Sequence, residues 1–306
     1  MEITSVINQM LILLIILVVG VVAAKLKVIN TETNKALSAI VINIAQCAMI
    51  LSSVINVELT LSPLELLELL GIAAATYAVL IAYSFIAPTV LRVGPEERGV
   101  YQFASIFGNC GFMGFPVIAS IFGPEAVFYA SLFNIPFNVL AYSLGIRLIS
   151  GGEKVRFQWR RLINPPMVST VIAIILILTK PHVPVVLEES VSLLGNMVVP
   201  SAMLIIGGSL GALSFREVFG EWKTYPFLPF KLIAAPIIVW AILRLFVRDE
   251  TILGIATVLA SLPVATNTTM LCIQYGGNEK AASRLVFVST VVSVVTIPIM
   301  VYFLLT

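Results

Sequence analysis

Long apolar runs recur along the whole chain, and no other feature of the sequence constrains its fold as strongly. Each run has about 18 to 24 residues, enough for a helix rising ~1.5 Å per residue to cross a hydrocarbon core of ~30 Å. Only 11% of the 306 residues are charged, whereas a soluble domain carries ~25%. The runs predict an all-α polytopic membrane protein with ten transmembrane spans at residues 7–24, 37–56, 69–91, 99–121, 126–149, 165–180, 191–212, 228–245, 251–275 and 283–304.

The same composition excludes several classes of protein. With 59% hydrophobic residues, the chain has too few charges to coat a soluble enzyme or a nucleic-acid-binding domain. A secreted disulfide scaffold is also excluded, because the three cysteines lie inside apolar runs, at Cys47, Cys110 and Cys272. We therefore expect the lipid bilayer as the surrounding medium, and no nucleic-acid partner.

The basic residues predict the orientation of the chain. If the N-terminus is outside, 15 of the 18 Lys and Arg residues fall in cytoplasmic loops or at cytoplasmic span ends, and Lys231 is among them. The other three are Lys180, Arg244 and Arg248. The positive-inside rule then predicts a multi-pass protein of the cytoplasmic (inner) membrane with both termini outside. The basic segment 147–161 is interpreted as a cytoplasmic loop beside lipid headgroups, in preference to a nucleic-acid patch.

That basic loop divides the predicted spans into two sets of five. Two related sets with an odd number of spans enter the membrane from opposite sides, so we predict an inverted repeat. Its halves are residues 1–150 and 165–306, and residues 151–164 form the cytoplasmic linker. Asn43 and Asn196 occupy similar places in the second and seventh spans. Inverted repeats are typical of secondary transporters with a binding site near the middle of the membrane.

Two spans, the fourth and the ninth, contain residues that weaken a helix. Freed backbone groups cannot face lipid, so they line protein or a wet cavity. The N-terminus of a half-helix suits a carboxylate, and its carbonyl end suits a cation. The breaks predict a substrate site formed by Asn109, Gly111, Gly114, Pro116, Pro263, Thr266, Asn267 and Thr268, with Asn43 from the second span. The alternative is that these prolines and glycines only kink or pack the helices.

The residues absent from the spans also matter. All acidic residues lie in predicted loops or at span ends, and the single histidine, His182, lies in an outer loop. No carboxylate or histidine relay for protons is therefore predicted inside the membrane.

The segment from Gly207 to Gly211 fits a nucleophile elbow, but no span contains a histidine base, so we expect no enzyme activity and no catalytic residue. These glycines are interpreted as a helix-packing face. We predict neither a metal site nor a cofactor.

Four segments resemble the prokaryotic branch of the auxin efflux carrier family, within the bile acid/sodium symporter-like transporters. They are the run from Gly108 to Pro116, Asn164-Pro165-Pro166, the run from Leu194 to Leu210, and the run from Pro263 to Gly277. The spacing matches along almost the whole chain, which is specific for the family although not for a substrate.

The resemblance implies ten helices in two inverted five-helix repeats, with the fourth and ninth helices crossing at Pro116 and Pro263. It also implies a scaffold of helices 1, 2, 6 and 7 and a mobile transport unit of helices 3–5 and 8–10. Relatives often form homodimers, and their substrates are organic anions, including auxin and malate. This chain has Cys47 where relatives usually have a proline, which leaves the contribution of the second helix to the pocket open.

The sequence therefore predicts a transporter with alternating access of the elevator type for a small organic anion, a mono- or dicarboxylate. The ninth helix lacks the acidic residue of the sodium-coupled relatives, so sodium coupling does not follow from the resemblance. A sodium ion bound by carbonyl, Asn and Thr oxygens stays an open alternative. Two other functions also stay open, namely a membrane sensor that binds its ligand at the same crossover without net transport, and a channel.

Overall fold

The computed structural model describes residues 3–55, 61–151, 163–212 and 224–305. These residues are almost entirely helical and include no β-strand. The α-helices are Ile3–Lys25, Thr31–Ile40, Gln46–Ser52, Pro63–Ser84, Ile86–Val90, Pro95–Ile106, Phe115–Phe122, Ala126–Leu140, Ile146–Ile149, Pro165–Thr179, Val185–Asn196, Val198–Ala212, Thr224–Pro229, Ala235–Leu243, Glu250–Ser261, Asn267–Tyr275 and Glu279–Leu305. Four π-helical turns interrupt them at Val41–Ala45, Cys110–Gly114, Ala141–Gly145 and Phe230–Ala234.

The helices coincide with the predicted apolar runs. Among the described residues, six helices are long and apolar enough to cross a membrane, namely Thr31–Ser52, Pro63–Val90, Ala126–Ile149, Val185–Gly211, Thr224–Leu243 and Glu279–Leu305. Shorter apolar helices occupy the other four predicted spans, at Leu11–Lys25, Cys110–Phe122, Pro165–Thr179 and Glu250–Ser261. The all-α, multi-pass class is thus confirmed, whereas the count of ten crossings and the inverted repeat remain predictions.

Polar caps and glycines set several helix ends where the sequence predicts breaks. The side chain of Asn30 accepts a hydrogen bond from the backbone N–H of Thr33, and that of Asp249 accepts from Thr251 and Ile252. Such caps satisfy N–H groups that the first turn of a helix leaves without a partner. Gly276 ends its helix with φ of 75°, a left-handed conformation that favours glycine.

The chain divides into two compact units. One comprises Met1–Gly71, Gly111–Asn134 and Ile163–Leu213, and the other comprises Ile72–Cys110, Ile135–Leu162 and Ser214–Thr306. The first unit contains the first, second, sixth and seventh predicted spans, which are assigned to a scaffold, but also Gly111–Asn134 from the fourth and fifth spans, which are assigned to the transport unit. The division of the chain into repeats, linker, scaffold and transport unit stays a prediction, and residues 152–162 of the linker lie outside the described residues.

Glycines bring two helices of the first unit into backbone contact. A Cβ atom added at Gly207 would lie 2.1 Å from the carbonyl oxygen of Leu17, and one at Gly20 would lie 2.7 Å from that of Leu204. One at Gly211 would lie 2.7 Å from the Cβ of Ala24. The helices Ile3–Lys25 and Val198–Ala212 therefore pack through their small residues. The interpretation of Gly207 to Gly211 as a packing face is confirmed.

Replacing Gly207 with Leu should destabilise this helix pair strongly. The new side chain would overlap the backbone of the facing helix, and overpacking of this kind typically costs about 1–3 kcal/mol or more. We expect a lower Tm of the detergent-purified protein in a thermal unfolding assay. Gly71→Ala is the matched control, because an added Cβ there meets no atom within 4 Å. An equal effect of both substitutions on Tm would contradict the predicted helix contact.

Aromatic side chains form the core of the second unit beside the interrupted fourth span. The Phe107 ring centroid lies 4.5 Å from that of Phe103 and 5.3 Å from that of Phe137, and Tyr77 stacks on Phe107 at 6.3 Å. Phe107 is fully buried. Close packing of these rings fixes the position at which the helix Pro95–Ile106 ends.

Candidate functional site

The fourth span is interrupted at residues 107–109. The helix Pro95–Ile106 ends there, and Phe107 has extended backbone angles of −99° and 110°. The prediction of a break at Pro116 was wrong in its position, because Pro116 lies in the first turn of the helix Phe115–Phe122. The π-helical turn Cys110–Gly114 runs directly into this helix, so the missing backbone N–H of Pro116 falls inside the helical segment Cys110–Phe122, after the extended break.

The ninth span is interrupted between its helices Glu250–Ser261 and Asn267–Tyr275. Leu262 is extended, with φ of −63° and ψ of 148°, and Pro263 follows it. The residue before a proline is disfavoured in the α conformation, which explains why the first helix ends at Ser261. In this span the structure places the break at the proline, as the sequence predicts.

The two interrupted segments are hydrogen-bonded to each other within the second unit. Gly108 and Val264 form an isolated antiparallel bridge. The backbone N–H of Asn109 donates to the carbonyl oxygen of Pro263 at 2.8 Å, and that of Ala265 donates to Phe107 at 3.1 Å. The segments thus satisfy backbone groups that their own helices cannot.

Further support for this pairing comes from the last span and from a glycine. The hydroxyl of Ser289 accepts a hydrogen bond from the backbone N–H of Val264 at 3.0 Å. A Cβ atom at Gly108 would lie 3.0 Å from the Cβ of Leu262 and 3.2 Å from the carbonyl oxygen of Leu259. A side chain at this position would be crowded, and its neighbours would have to move by a few tenths of an ångström to admit it. The predicted site includes Gly111 and Gly114 but not Gly108, although Gly108 lies in the same glycine-rich stretch of the fourth span.

The two asparagines predicted for the site lie at these breaks. Asn109 is 3% exposed, and its backbone is held by Pro263. Asn267 is the first residue of the helix Asn267–Tyr275. Its side-chain oxygen is buried and has no hydrogen-bond partner among the described residues. An unsatisfied buried amide oxygen typically costs about 1–3 kcal/mol, and at a binding site such a group is available to a ligand.

The two threonines have different environments. The hydroxyl of Thr268 is buried and donates to the carbonyl oxygen of Ala265 at 2.6 Å. The only proton of this hydroxyl therefore holds the turn before the helix Asn267–Tyr275. Thr266 is partly exposed and precedes the helix without a side-chain cap bond.

The other predicted residues belong to the first unit. Gly111 and Gly114 lie in the π-helical turn Cys110–Gly114 and Asn43 in the turn Val41–Ala45. Such turns are rare and often occur at functional sites. Asn43 is exposed, and its amide donates to the carbonyl oxygen of Ala39 in its own helix. Gln46, which the sequence pattern did not select, is 4% exposed, and its amide lies 3.5 Å from the carbonyl oxygen of Gly111.

One basic residue was assigned wrongly from the sequence. The charge count placed Lys231 at a cytoplasmic span end, but the structure buries it completely in the π-helical turn Phe230–Ala234. Without Lys231, most Lys and Arg residues still lie on the side of the membrane that is predicted to be cytoplasmic. A signal was present, since Lys231 is followed by twelve residues without a charge, up to Arg244.

Comparison with known proteins gives a consistent result over the whole chain. A family model described as a membrane transport protein matches residues 5–301. A protein of Methanothermobacter thermautotrophicus named "Uncharacterized transporter" is 26% identical over 290 residues, covering 94% of each chain. An uncharacterized transporter of Methanocaldococcus jannaschii is 24% identical and covers 95% of this chain and 96% of its own. A protein of Rhizobium meliloti named "Putative malonate transporter" is 24% identical and covers 74% of this chain and 73% of its own.

Proposed function

Because the chain belongs to the auxin efflux carrier family of membrane transport proteins, we propose that it is a secondary transporter for a small organic anion, a mono- or dicarboxylate, in the cytoplasmic membrane. The observation that carries this proposal is the hydrogen-bonded pairing of the two interrupted spans around Gly108 and Val264. Paired breaks of this kind are the expected setting of a transporter site.

The chemistry beside the pairing favours an anionic ligand. The helix Asn267–Tyr275 begins there, and the N–H groups of a first helical turn carry partial positive charge. The side-chain nitrogens of Asn109 and Asn267 can donate hydrogen bonds to a carboxylate, whereas the buried side-chain oxygen of Asn267, which lacks a partner among the described residues, is an acceptor that suits a hydroxyl group of the ligand or a cation. We propose that these two side chains select the ligand and that Thr268 holds the turn at the start of the helix Asn267–Tyr275.

Alternating access would follow from the predicted inverted repeat. We propose that helices 3–5 and 8–10 carry the bound anion by an elevator movement against helices 1, 2, 6 and 7, with both termini outside. This movement is inferred from the near-symmetry of the two halves in the sequence.

A thermal-stability assay tests the proposed ligand class. Purified protein is heated with acetate, malonate, succinate or malate, with sodium or choline as the cation, at two pH values. Binding to the folded state raises stability by RT ln(1 + [L]/Kd), so a carboxylate at about 100 times its Kd should add about 2.7 kcal/mol. Malonate is the first choice because of the name of the Rhizobium meliloti relative. If no carboxylate raises the Tm, the proposed ligand class is wrong.

Transport itself requires a second assay. Protein in liposomes should take up the labelled carboxylate with saturating kinetics, and unlabelled carboxylate on the inside should accelerate the uptake. A channel would show flux that does not saturate and no such counterflow. A sensor would bind the carboxylate and show no flux.

A further inference from the structure

Lys231 is a buried basic residue inside the membrane-spanning region. It lies in the π-helical turn Phe230–Ala234 within the candidate span Thr224–Leu243, and its side chain has no solvent-exposed surface. Lysine is almost never fully buried unless it is paired. Ionisable residues within membrane spans are rare and usually functional. Its position therefore calls for an explanation beyond packing.

The amino group of Lys231 is directed to the interrupted fourth span. Its Nζ atom donates a hydrogen bond to the carbonyl oxygen of Ser105 at 3.3 Å. Ser105 belongs to the last turn of the helix Pro95–Ile106, whose carbonyl end carries partial negative charge. Asn109 follows only four residues later. The lysine thus approaches the break from its carbonyl side, where transporters with broken helices bind a coupling cation.

No acidic side chain balances this lysine in the part of the chain that the structure describes. Ion pairs there join Arg244 to Glu250 and Arg284 to Glu97, and neither includes Lys231. Lys231 interacts electrostatically with the thiol of Cys110, whose sulfur atom lies 4.0 Å from the hydroxyl oxygen of Tyr77. A thiol and a phenol carry no charge in their ordinary state at neutral pH and cannot neutralise an ammonium.

We propose that Lys231 is the positive counter-charge of the anion site, balanced by the carboxylate of the ligand when the ligand is bound. A charge in a low-dielectric interior is stable only with a partner of opposite sign, and the interaction is then strong. This inference rests on the proposed function and adds to it the residue that selects a negatively charged ligand. It also bears on sodium, because a fixed ammonium at the carbonyl end opposes a second cation there. Carboxylate binding should therefore not require sodium.

The test compares Lys231→Gln, Lys231→Arg and the wild type. Glutamine keeps a hydrogen-bond donor for the Ser105 carbonyl but removes the charge, whereas arginine keeps the charge. Affinity is measured by calorimetry in choline buffer with the carboxylate that stabilises the wild type most among acetate, malonate, succinate and malate. We expect about a tenfold or greater loss of affinity in Lys231→Gln and a smaller loss in Lys231→Arg. Lys280→Gln is the control, since Lys280 is exposed in the same unit.

The outcomes separate this inference from the proposed function. Wild-type affinity in folded Lys231→Gln protein would overturn the counter-charge role while the transporter proposal stands. Binding that requires sodium in the wild type would overturn it as well, and this measurement needs no variant to fold. A wild-type protein that binds none of the four carboxylates would remove the proposed ligand class, and the inference with it.

Discussion

Asn267→Ala should weaken carboxylate binding by about tenfold or more without destabilising the ligand-free protein. The side-chain oxygen of Asn267 is buried and without a hydrogen-bond partner among the described residues. Alanine has only a methyl group as its side chain, so the substitution removes this unsatisfied polar atom. The Tm of the ligand-free protein should therefore stay the same or rise. The substitution also removes the amide nitrogen that would donate to the carboxylate, and a hydrogen bond to a charged ligand contributes about 1.5–3 kcal/mol, so the affinity should fall by about tenfold or more.

Asn278→Ala provides the opposite control. The side-chain oxygen of Asn278 accepts from the backbone N–H of Ala281, and its amide nitrogen donates to Glu97 at 3.4 Å. Loss of this helix cap should lower stability by about 1 kcal/mol, while the shift caused by the carboxylate is retained. Both variants are measured by thermal unfolding with and without ligand. If Asn267→Ala keeps wild-type affinity, Asn267 does not belong to the site.

We expect Asn109→Ala to lose ligand binding too, for a related reason. Asn109 is 3% exposed and its backbone is fixed by Pro263, so its amide group has a defined position at the break. Loss of binding in both asparagine variants, with both proteins folded, would support a site formed by the two interrupted spans together.

The positions of the spans could be predicted because they depend on one property that is local in sequence. A helix in lipid requires a continuous apolar segment of sufficient length, and the structure has helices in all ten predicted segments. The position of the break in the fourth span could not be predicted equally well. Glycine and proline residues occur from Gly108 to Pro116, and only the contact with the ninth span selects Gly108.

The environments of individual polar residues also could not be predicted from the sequence. Asn43 and Gln46 are three residues apart, but the first is exposed and the second is buried. Lys231 lies near the end of a predicted span, where a lysine normally extends to the interface. The uncharged stretch up to Arg244 places Lys231 inside an apolar run, but its burial also depends on the π-helical turn that contains it and on the distant Ser105 carbonyl, which the local sequence does not indicate.

Gly108→Ala should impair both stability and transport, and Gly111→Ala should impair neither strongly. At Gly108 an added Cβ meets the Cβ of Leu262 at 3.0 Å and the carbonyl oxygen of Leu259 at 3.2 Å. The carbonyl oxygen of Leu259 belongs to the backbone and cannot move away freely. The segments would have to separate, which would lengthen the hydrogen bond between Asn109 and Pro263, now 2.8 Å. Overpacking of this size costs about 1–3 kcal/mol.

Gly111 is the matched position because it lies in the same stretch of the fourth span. Its added Cβ would approach only the flexible side-chain amide of Gln46, at 3.4 Å, which is ordinary van der Waals contact. The two variants are compared by Tm in detergent and by carboxylate uptake in liposomes. Normal uptake by Gly108→Ala together with impaired uptake by Gly111→Ala would place the functional close approach at Gly111, as the sequence pattern predicts, and not at the bridge between Gly108 and Val264.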